Sequence, residues 1–333
     1  MHFPEVGNID IAPQGSLLAR IAIVGDFTSG FDRQARRPFS GYAGQILENC
    51  LHNAGLIRGE VYLTNLIKAH TDKKEQFYNE TTGKFTPKGM DYVYLLQAEM
   101  SEQKANVIVA AGAASFSALC SLRKLSRYRG YVFPSTSLPG RKVIPIHHPS
   151  AAMRGMYTYR YLIANDLKKA KEECLFPELS RPERQLVYQH DTVADALDWL
   201  AYYEKQDIVG FDIEVLNFEV SCISFSSKSD LACVIPLVGK WTLEEEALLW
   251  RGIQKVLGNP NSVKVIQNSM FDIPFLLTRN GVTVRGPIHD TMIAHSIMFA
   301  DLPKGLGFLG SIYCGAQEYW KDSVTFTNIK ENS

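Results

Sequence analysis

The chain has 333 residues, 46% of them apolar, which is enough for two hydrophobic cores and too long for one ordinary domain. Its 35 basic side chains balance 35 acidic ones, which excludes a general polycation that would coat nucleic acid or membrane indiscriminately. The 6 cysteines never approach closer than 11 residues, so no CxxC pattern exists, and neither a secretory leader nor an apolar window of membrane-spanning length is visible; a reduced, soluble, cytoplasmic protein is expected.

Charge is nevertheless unevenly placed. Gln103 to Asn165 contains no acid but holds Lys104, Arg123, Lys124, Arg127, Arg129, Arg141, Lys142, Arg154 and Arg160. Glu172 to Glu219 reverses this, with 12 acids against Arg181, Arg184 and Lys205. The first stretch suits contact with a phosphate backbone, and the second suits metal ligation.

From the amino terminus, Ala19 to Gly25 is an apolar run that predicts a buried parallel strand. Asp26 to Phe39 reads as a loop rich in Gly, Ser and Arg, and Ser40 to Ala54 as a helix closed by Gly55. Val61 to Ala69 predicts a strand, His70 to Gly89 a polar insertion, and Met90 to Gln103 a helix. Val107 to Ala111 predicts a strand, Ala113 to Leu122 a helix, and Val143 to Ile146 another strand. Strands alternating with helices predict an α/β domain of three layers, a parallel sheet covered on both faces.

Ligands of such sheets gather at the carboxyl ends of the strands. Gly25, Asp26 and Asp32 fall there, with Arg37 to Gly41, Thr64, Asn65 and His147 to Ser150. An aromatic, an amide, a histidine and a carboxylate can together stack a planar base, read its edge, bind its carbonyl oxygen and position a water. Taken singly, Phe39 also reads as a core aromatic, Asn65 as a strand-end cap and His148 as a turn residue before proline.

Residues 19 to 169 resemble the uracil-DNA glycosylase superfamily, most of all its families 4 and 5. The resemblance lies in Val24-Gly25-Asp26, Arg37-Pro38-Phe39-Ser40-Gly41-Tyr42-Ala43-Gly44-Gln45, Val61-Tyr62-Leu63-Thr64-Asn65, Val107-Ile108-Val109-Ala110 and His148-Pro149-Ser150. It implies that Phe39 stacks on a flipped uracil, Asn65 reads its edge, His148 stabilises charge on O2, and Asp32 takes the place of the water-orienting acid. Arg154 would enter the minor groove. The family's Gly-Glu-Ala-Pro-Gly loop reads here Gly25-Asp26-Phe27-Thr28-Ser29, and Ala69 and Tyr92 stand where two cluster cysteines would be, so no iron-sulfur cluster is expected.

Residues 170 to 185 read as a linker, with a boundary near Arg181 dividing a domain of 1–180 from one of 181–333. Beyond it come a strand from Gln185 to Gln189 and a helix from Thr192 to Tyr203. The strand around Phe211 to Glu214 is followed by two more, Val220 to Phe225 and Ala232 to Leu237, joined by turns short enough for antiparallel pairing. Thr242 to Leu257 reads as a helix, Val263 to Ile266 as a strand, and Phe271 to Arg279 as a helix. Side chains alternate along a strand, so Asp212 and Glu214 share a face two residues apart. Two like charges that close repel unless a cation lies between them, and hard oxygen ligands suit magnesium or manganese. Asp272, at a helix start, can reach the same place.

This half resembles the proofreading 3'-5' exonuclease domain of family A DNA polymerases, in the ribonuclease H-like group named for its Asp-Glu-Asp-Asp ligands. The stretches that carry the resemblance are Val209 to Glu214, Val263 to Asn268 with Phe271-Asp272, and His289-Asp290-Thr291-Met292. It implies a mixed sheet, a two-metal site of Mg²⁺ or Mn²⁺ on Asp212, Glu214 and Asp272, a positioning role for Asn268, and a helix-starting role for Asp290. The family's last motif is expected after Trp320-Lys321-Asp322, which reads the chain as C-terminally truncated, with a polymerase domain beyond Ser333. Domain order is similar to the N-terminal half of certain bacteriophage polymerases. The expected partners are a single-stranded 3' end and uracil-containing template DNA. The alternative is a non-catalytic, uracil-sensing DNA-binding module with an inert exonuclease domain.

Overall fold

The computed structural model describes residues 10–153, 157–181, 183–314 and 319. Its first strand, β1 (Ile21–Thr28), shows why the chain layers. Ile21 and Ile23 enter one apolar cluster while Ala22 and Val24 enter another, because successive side chains leave opposite faces. A short helix α1 (Gly30–Ala35) and α2 (Tyr42–Asn53) lead to β2 (Val61–His70), a small hairpin of β3 (Tyr78–Asn79) and β4 (Lys84–Phe85), and α3 (Pro87–Glu102). Then come β5 (Val107–Ala111), α4 (Ala113–Cys120), α5 (Leu125–Tyr128), β6 (Phe133–Pro134), β7 (Lys142–Ile146) and α6 (Thr158–Glu173). The sheet order is β2-β1-β5-β7-β6, parallel except for β6. Gly25, Asn65, Ala111 and Ile146 stand in one row across it, so the following residues meet at one edge.

Three segments depart from the reading of the sequence. The expected loop after β1 contains α1, because Ser29 and Asp32 exchange side-chain and backbone hydrogen bonds as a capping box. Helix α3 starts inside the expected insertion, where Thr86 caps it and Pro87 takes its first turn. Helix α6 runs into the expected linker, where Glu173 is buried and accepts from Lys142; just before it the buried Lys169 donates to the carbonyl of Gly130. The acid-free stretch is correspondingly not one phosphate-binding face. Arg129 is paired internally with Asp166, Lys142 with Glu173, and Arg141 donates to the carbonyls of Gln103 and Ala105.

The second unit contains β8 (Gln185–Val187), α7 (Val193–Glu204), β9 (Ile208–Leu216), β10 (Glu219–Lys228), β11 (Leu231–Pro236), α8 (Leu243–Gly258), β12 (Val263–Ile266), α9 (Ser269–Asn280), β13 (Ile288–Asp290), α10 (Thr291–Met298) and the start of α11 (Leu306–Tyr313). Its sheet is mixed, in the order β13-β12-β9-β10-β11-β8; β9, β10 and β11 are antiparallel neighbours, and β12 runs parallel to β9. Val209, Phe211 and Ile213 face a core with Leu200, Tyr203, Leu249 and Ile253 of α7 and α8, which leaves Asp212 and Glu214 exposed on the other side of β9. Among the described residues no helix is long and apolar enough to cross a membrane.

The chain does not divide by a single cut at Arg181. The described residues from Gly307 onward belong with the first unit. The anchor is a buried ion pair: Arg129 donates to Asp166 at 2.5 Å, with 1% and 0% of their side chains exposed, and Arg129 also donates to the hydroxyl of Ser311. Lys169 donates to the carbonyls of Ser311 and Cys314, and the Tyr131 hydroxyl to that of Gly307. Burial raises the Asp166 carboxyl above its ordinary range and Arg129 pulls it back. Removing one partner strands a buried charge. Asp166→Ala is therefore expected to cost the first unit about 3–5 kcal/mol in chemical denaturation of the whole chain, whereas Arg129→Met with Asp166→Leu recovers most of it. A loss below about 1 kcal/mol for the single variant would contradict the assignment.

Candidate functional site

At the edge of the first sheet, Asp32, Phe39, Asn65 and His148 line one cavity of about 200 Å³, on the scale of a single planar base. Phe39 is buried and has a positive φ of 52°, a strained conformation for a bulky residue. Two features hold it. Arg58 donates to the carbonyls of Pro38 and Phe39, and Gly44 lies so close that a Cβ there would overlap the Phe39 carbonyl. The side-chain amide of Asn65 is buried, and its Nδ2 has no hydrogen-bond partner. A buried donor without an acceptor is costly, so this one is a candidate for a ligand oxygen.

His148 is oriented by its own turn. The backbone N–H of Ser150 donates to Nδ1 at 3.2 Å, with the Ser150 hydroxyl 2.8 Å away, which assigns the ring proton of the neutral tautomer to Nε2. The rings of Phe39 and His148 lie nearly parallel, 6.1 Å apart. Asp32 reaches the cavity, but both of its oxygens accept backbone N–H groups, Oδ2 from Ser29 at 2.9 Å and Oδ1 from Ser40 at 2.7 Å. Asp26 is a second carboxylate at this edge. Its Oδ1 accepts the Ser115 N–H at the start of α4; burial holds the carboxyl above its ordinary range, while nearby His148 and the Ser115 amide pull it down. Arg154 lies outside the described residues.

In the second unit, Asp212 is pushed up to about 6 by desolvation, with the charges of Asp272 and Glu214 adding to it. Pairing of β12 with β9 ends at Gly210, and farther along β9 the Ile213 N–H donates to Asp272 Oδ1 at 3.2 Å. Burial likewise raises Asp272. Asn268 precedes α9 in the left-handed region, φ 66°, and its side chain does not cap the helix. Asp290 does that work from a neighbouring strand: it accepts the N–H groups of Asn268 and Ser269 as well as those of Met292 and Ile293 at the start of α10. Although burial opposes it, this set of hydrogen bonds brings the Asp290 carboxyl below its usual range. Among the described residues no three His, Cys, Asp or Glu side chains close on a common point as a metal cage, and none of Asp212, Glu214 or Asp272 is ion-paired. Three hard-oxygen acids, with Asp212 and Asp272 raised by desolvation and by neighbouring acids, suit a divalent cation, which would offset their mutual repulsion.

Residues 12–173 match the family described as the uracil DNA glycosylase superfamily, and residues 187–327 match one described as 3'-5' exonuclease. A type-4 uracil-DNA glycosylase of Thermotoga maritima is 31% identical over 162 residues, covering 48% of this chain and 81% of that protein. The chain belongs to the uracil-DNA glycosylase superfamily.

A second type-4 enzyme, from Pyrobaculum aerophilum, is 29% identical to this superfamily member over 147 residues, covering 42% of this chain and 71% of that protein. The mixed sheet of the second unit falls almost wholly within the 3'-5' exonuclease match. The catalytic core of RRP6 from Trypanosoma brucei aligns at 20% identity with a TM-score of 0.34, covering 39% of this chain and 35% of that one.

Some residues that shape the glycosylase-superfamily pocket carry no readable sign in the sequence. Arg58 lies in a short connection with nothing to mark it, and Gly44 resembles any small helical residue. Asp290 was readable as a helix start but not as the cap of α9 as well. Tyr92, at a position the resemblance gives to a cluster ligand, is buried against Phe77. His147, beside His148, is stacked on Tyr159 at 3.9 Å, and burial, with Arg129 nearby, lowers it to about 4. The unfolded chain takes up this proton near pH 6.5. The stabilising contribution is therefore complete above about 6.5 and lost as pH falls toward 4, by up to about 3 kcal/mol. His147→Gln is expected to flatten the decline of stability between pH 7 and 4.5; an unchanged slope would show that His147 does not titrate there.

Proposed function

We propose that the chain is a DNA-processing module that recognises uracil with its first unit and trims 3' ends with its second, in the service of proofreading by a family A DNA polymerase. The unpartnered Nδ2 of Asn65 carries the uracil half of this reading. A pyrimidine seated against Phe39 would offer O4 to that N–H if it were uracil, and an amino group if it were cytosine. A site built around one hydrogen bond rejects the ligand that cannot make it.

Breaking the bond from the base to its sugar moves the bonding electrons onto the base, where charge collects at O2, and the Nε2–H of His148 can donate to that oxygen. A water must then add to the sugar carbon and lose a proton. Both oxygens of Asp32 already accept backbone N–H groups, whereas Asp26 has one oxygen on the Ser115 N–H and is held above its ordinary range by burial, which makes Asp26 the acid fitted to take that proton. The first unit is accordingly assigned recognition with excision, Asp26 taking the proton.

In the second unit Asp212, Glu214 and Asp272 would hold divalent metal, which supplies charge neutralisation at the scissile phosphodiester. Asp290 fixes the turn that presents Asp272, and Asn268 sits in that turn. The open spread of the three acids favours one other reading, an inert exonuclease unit attached to a DNA-binding domain.

A 5'-labelled primer incubated with the whole chain and Mg²⁺ or Mn²⁺ separates the two. A ladder of shortened products is expected, reduced about 100-fold or more by Asp212→Ala or Asp272→Ala. No ladder, even with Mn²⁺ and excess protein, would leave only the inert reading. On a uracil-containing oligonucleotide, alkali-labile sites are expected to form and to vanish with Asn65→Ala; scission unaffected by that variant would remove the pocket from the account.

A further inference from the structure

The loop over the base pocket presents more than the pocket needs. Phe31 and Tyr42 line the cavity mouth, yet 54% and 60% of their surfaces remain exposed. Their rings meet edge to face, with centroids 5.7 Å apart and an interplanar angle of 80°. Phe31 is held and not loose: a Cβ on Gly41 would come within 2.9 Å of its ring, so the ring lies directly on that backbone. Met153 adds a third exposed apolar side chain to the rim. No Lys or Arg is among the residues that line the cavity, but Arg33 of α1, which pairs with Asp10 at 3.7 Å, and Arg36 and Arg37 just after that helix stand exposed in the segment between Phe31 and Tyr42.

Fixed, solvent-facing aromatic rings beside exposed cations are the combination that binds single-stranded nucleic acid, where rings stack on open base faces and cations follow the backbone. In a duplex, the neighbours of an extruded base stay paired inside the helix, out of reach of rings on a protein surface. In a single strand their faces are free. Resting on the uracil reading above, we infer that Phe31 and Tyr42 stack on the bases flanking the uracil while Arg33, Arg36 and Arg37 contact their phosphates. The first unit therefore takes uracil from single-stranded DNA in preference to duplex.

The test is fluorescence anisotropy with the whole chain in EDTA, which holds back metal-dependent digestion. The probes are a labelled oligonucleotide with one central uracil, the same strand with cytosine, and each annealed to its complement. The uracil single strand is expected to bind at least tenfold more tightly than its duplex. Phe31→Leu with Tyr42→Leu keeps apolar cover over Gly41 but removes the rings; it is expected to weaken single-strand binding about tenfold or more and to change duplex binding by less than about threefold. Phe31→Tyr is expected to retain wild-type binding. Equal affinity for strand and duplex, or a loss shared equally by both in the Leu variant, would overturn the inference. Equal binding of uracil and cytosine probes, single-stranded and duplex alike, would instead overturn the uracil reading beneath it.

Discussion

The first unit depends on a side chain that is not there. Gly25 lies on β1 between Asn65 on one neighbour and Ala111 on the other. A Cβ at this position would overlap Oδ1 of Asn65 and stand 2.8 Å from the ring of Phe39. The backbone at Gly25 thus forms the floor against which the amide and the aromatic ring come together. Every other feature of the pocket supports that approach: Arg58 holds the strained carbonyl of Phe39, Gly44 makes room for it, and Ser150 sets the tautomer of His148. Such strain persists only where the surroundings over-determine it, and here they do.

The second unit meets the opposite problem, an excess of like charge. Asp212 and Glu214 project from the exposed face of β9, and Asp272 approaches from α9 with one oxygen on the Ile213 amide. Two carboxylates of the three are raised above their ordinary range, as expected where neighbouring acids and partial desolvation disfavour ionisation. Asp290 gives the arrangement its rigidity, because one carboxylate caps both the turn into α9 and the start of α10.

Periodicity made much of this legible. Apolar runs such as Ala19 to Gly25 and Val107 to Ala111 can satisfy their backbones and bury both faces only inside a covered parallel sheet, and strand alternation placed Asp212 and Glu214 on one side of β9. The carboxyl ends of parallel strands share one edge of their sheet, so Asn65 and His148 were placed together before any coordinates. What stayed hidden depends on partners distant in sequence. Arg129 looked like a phosphate ligand because Asp166 and Ser311, which complete its buried network, lie 37 and 182 residues away. Asp32 looked like a free acid because nothing local shows that the Ser40 amide folds back onto it. The return of Gly307 and Ser311 to the first unit rests on hydrogen bonds of the same long-range kind.

The claim most open to direct trial is that backbone approach at Gly25 creates uracil recognition. Gly25→Ala should keep the far-ultraviolet circular dichroism of the parent chain. In EDTA, with single-stranded oligonucleotides that differ only by uracil or cytosine at one position, the parent should prefer uracil and the variant should bind the two equally. A Gly25→Ala chain that still prefers uracil by the parental factor would contradict the account.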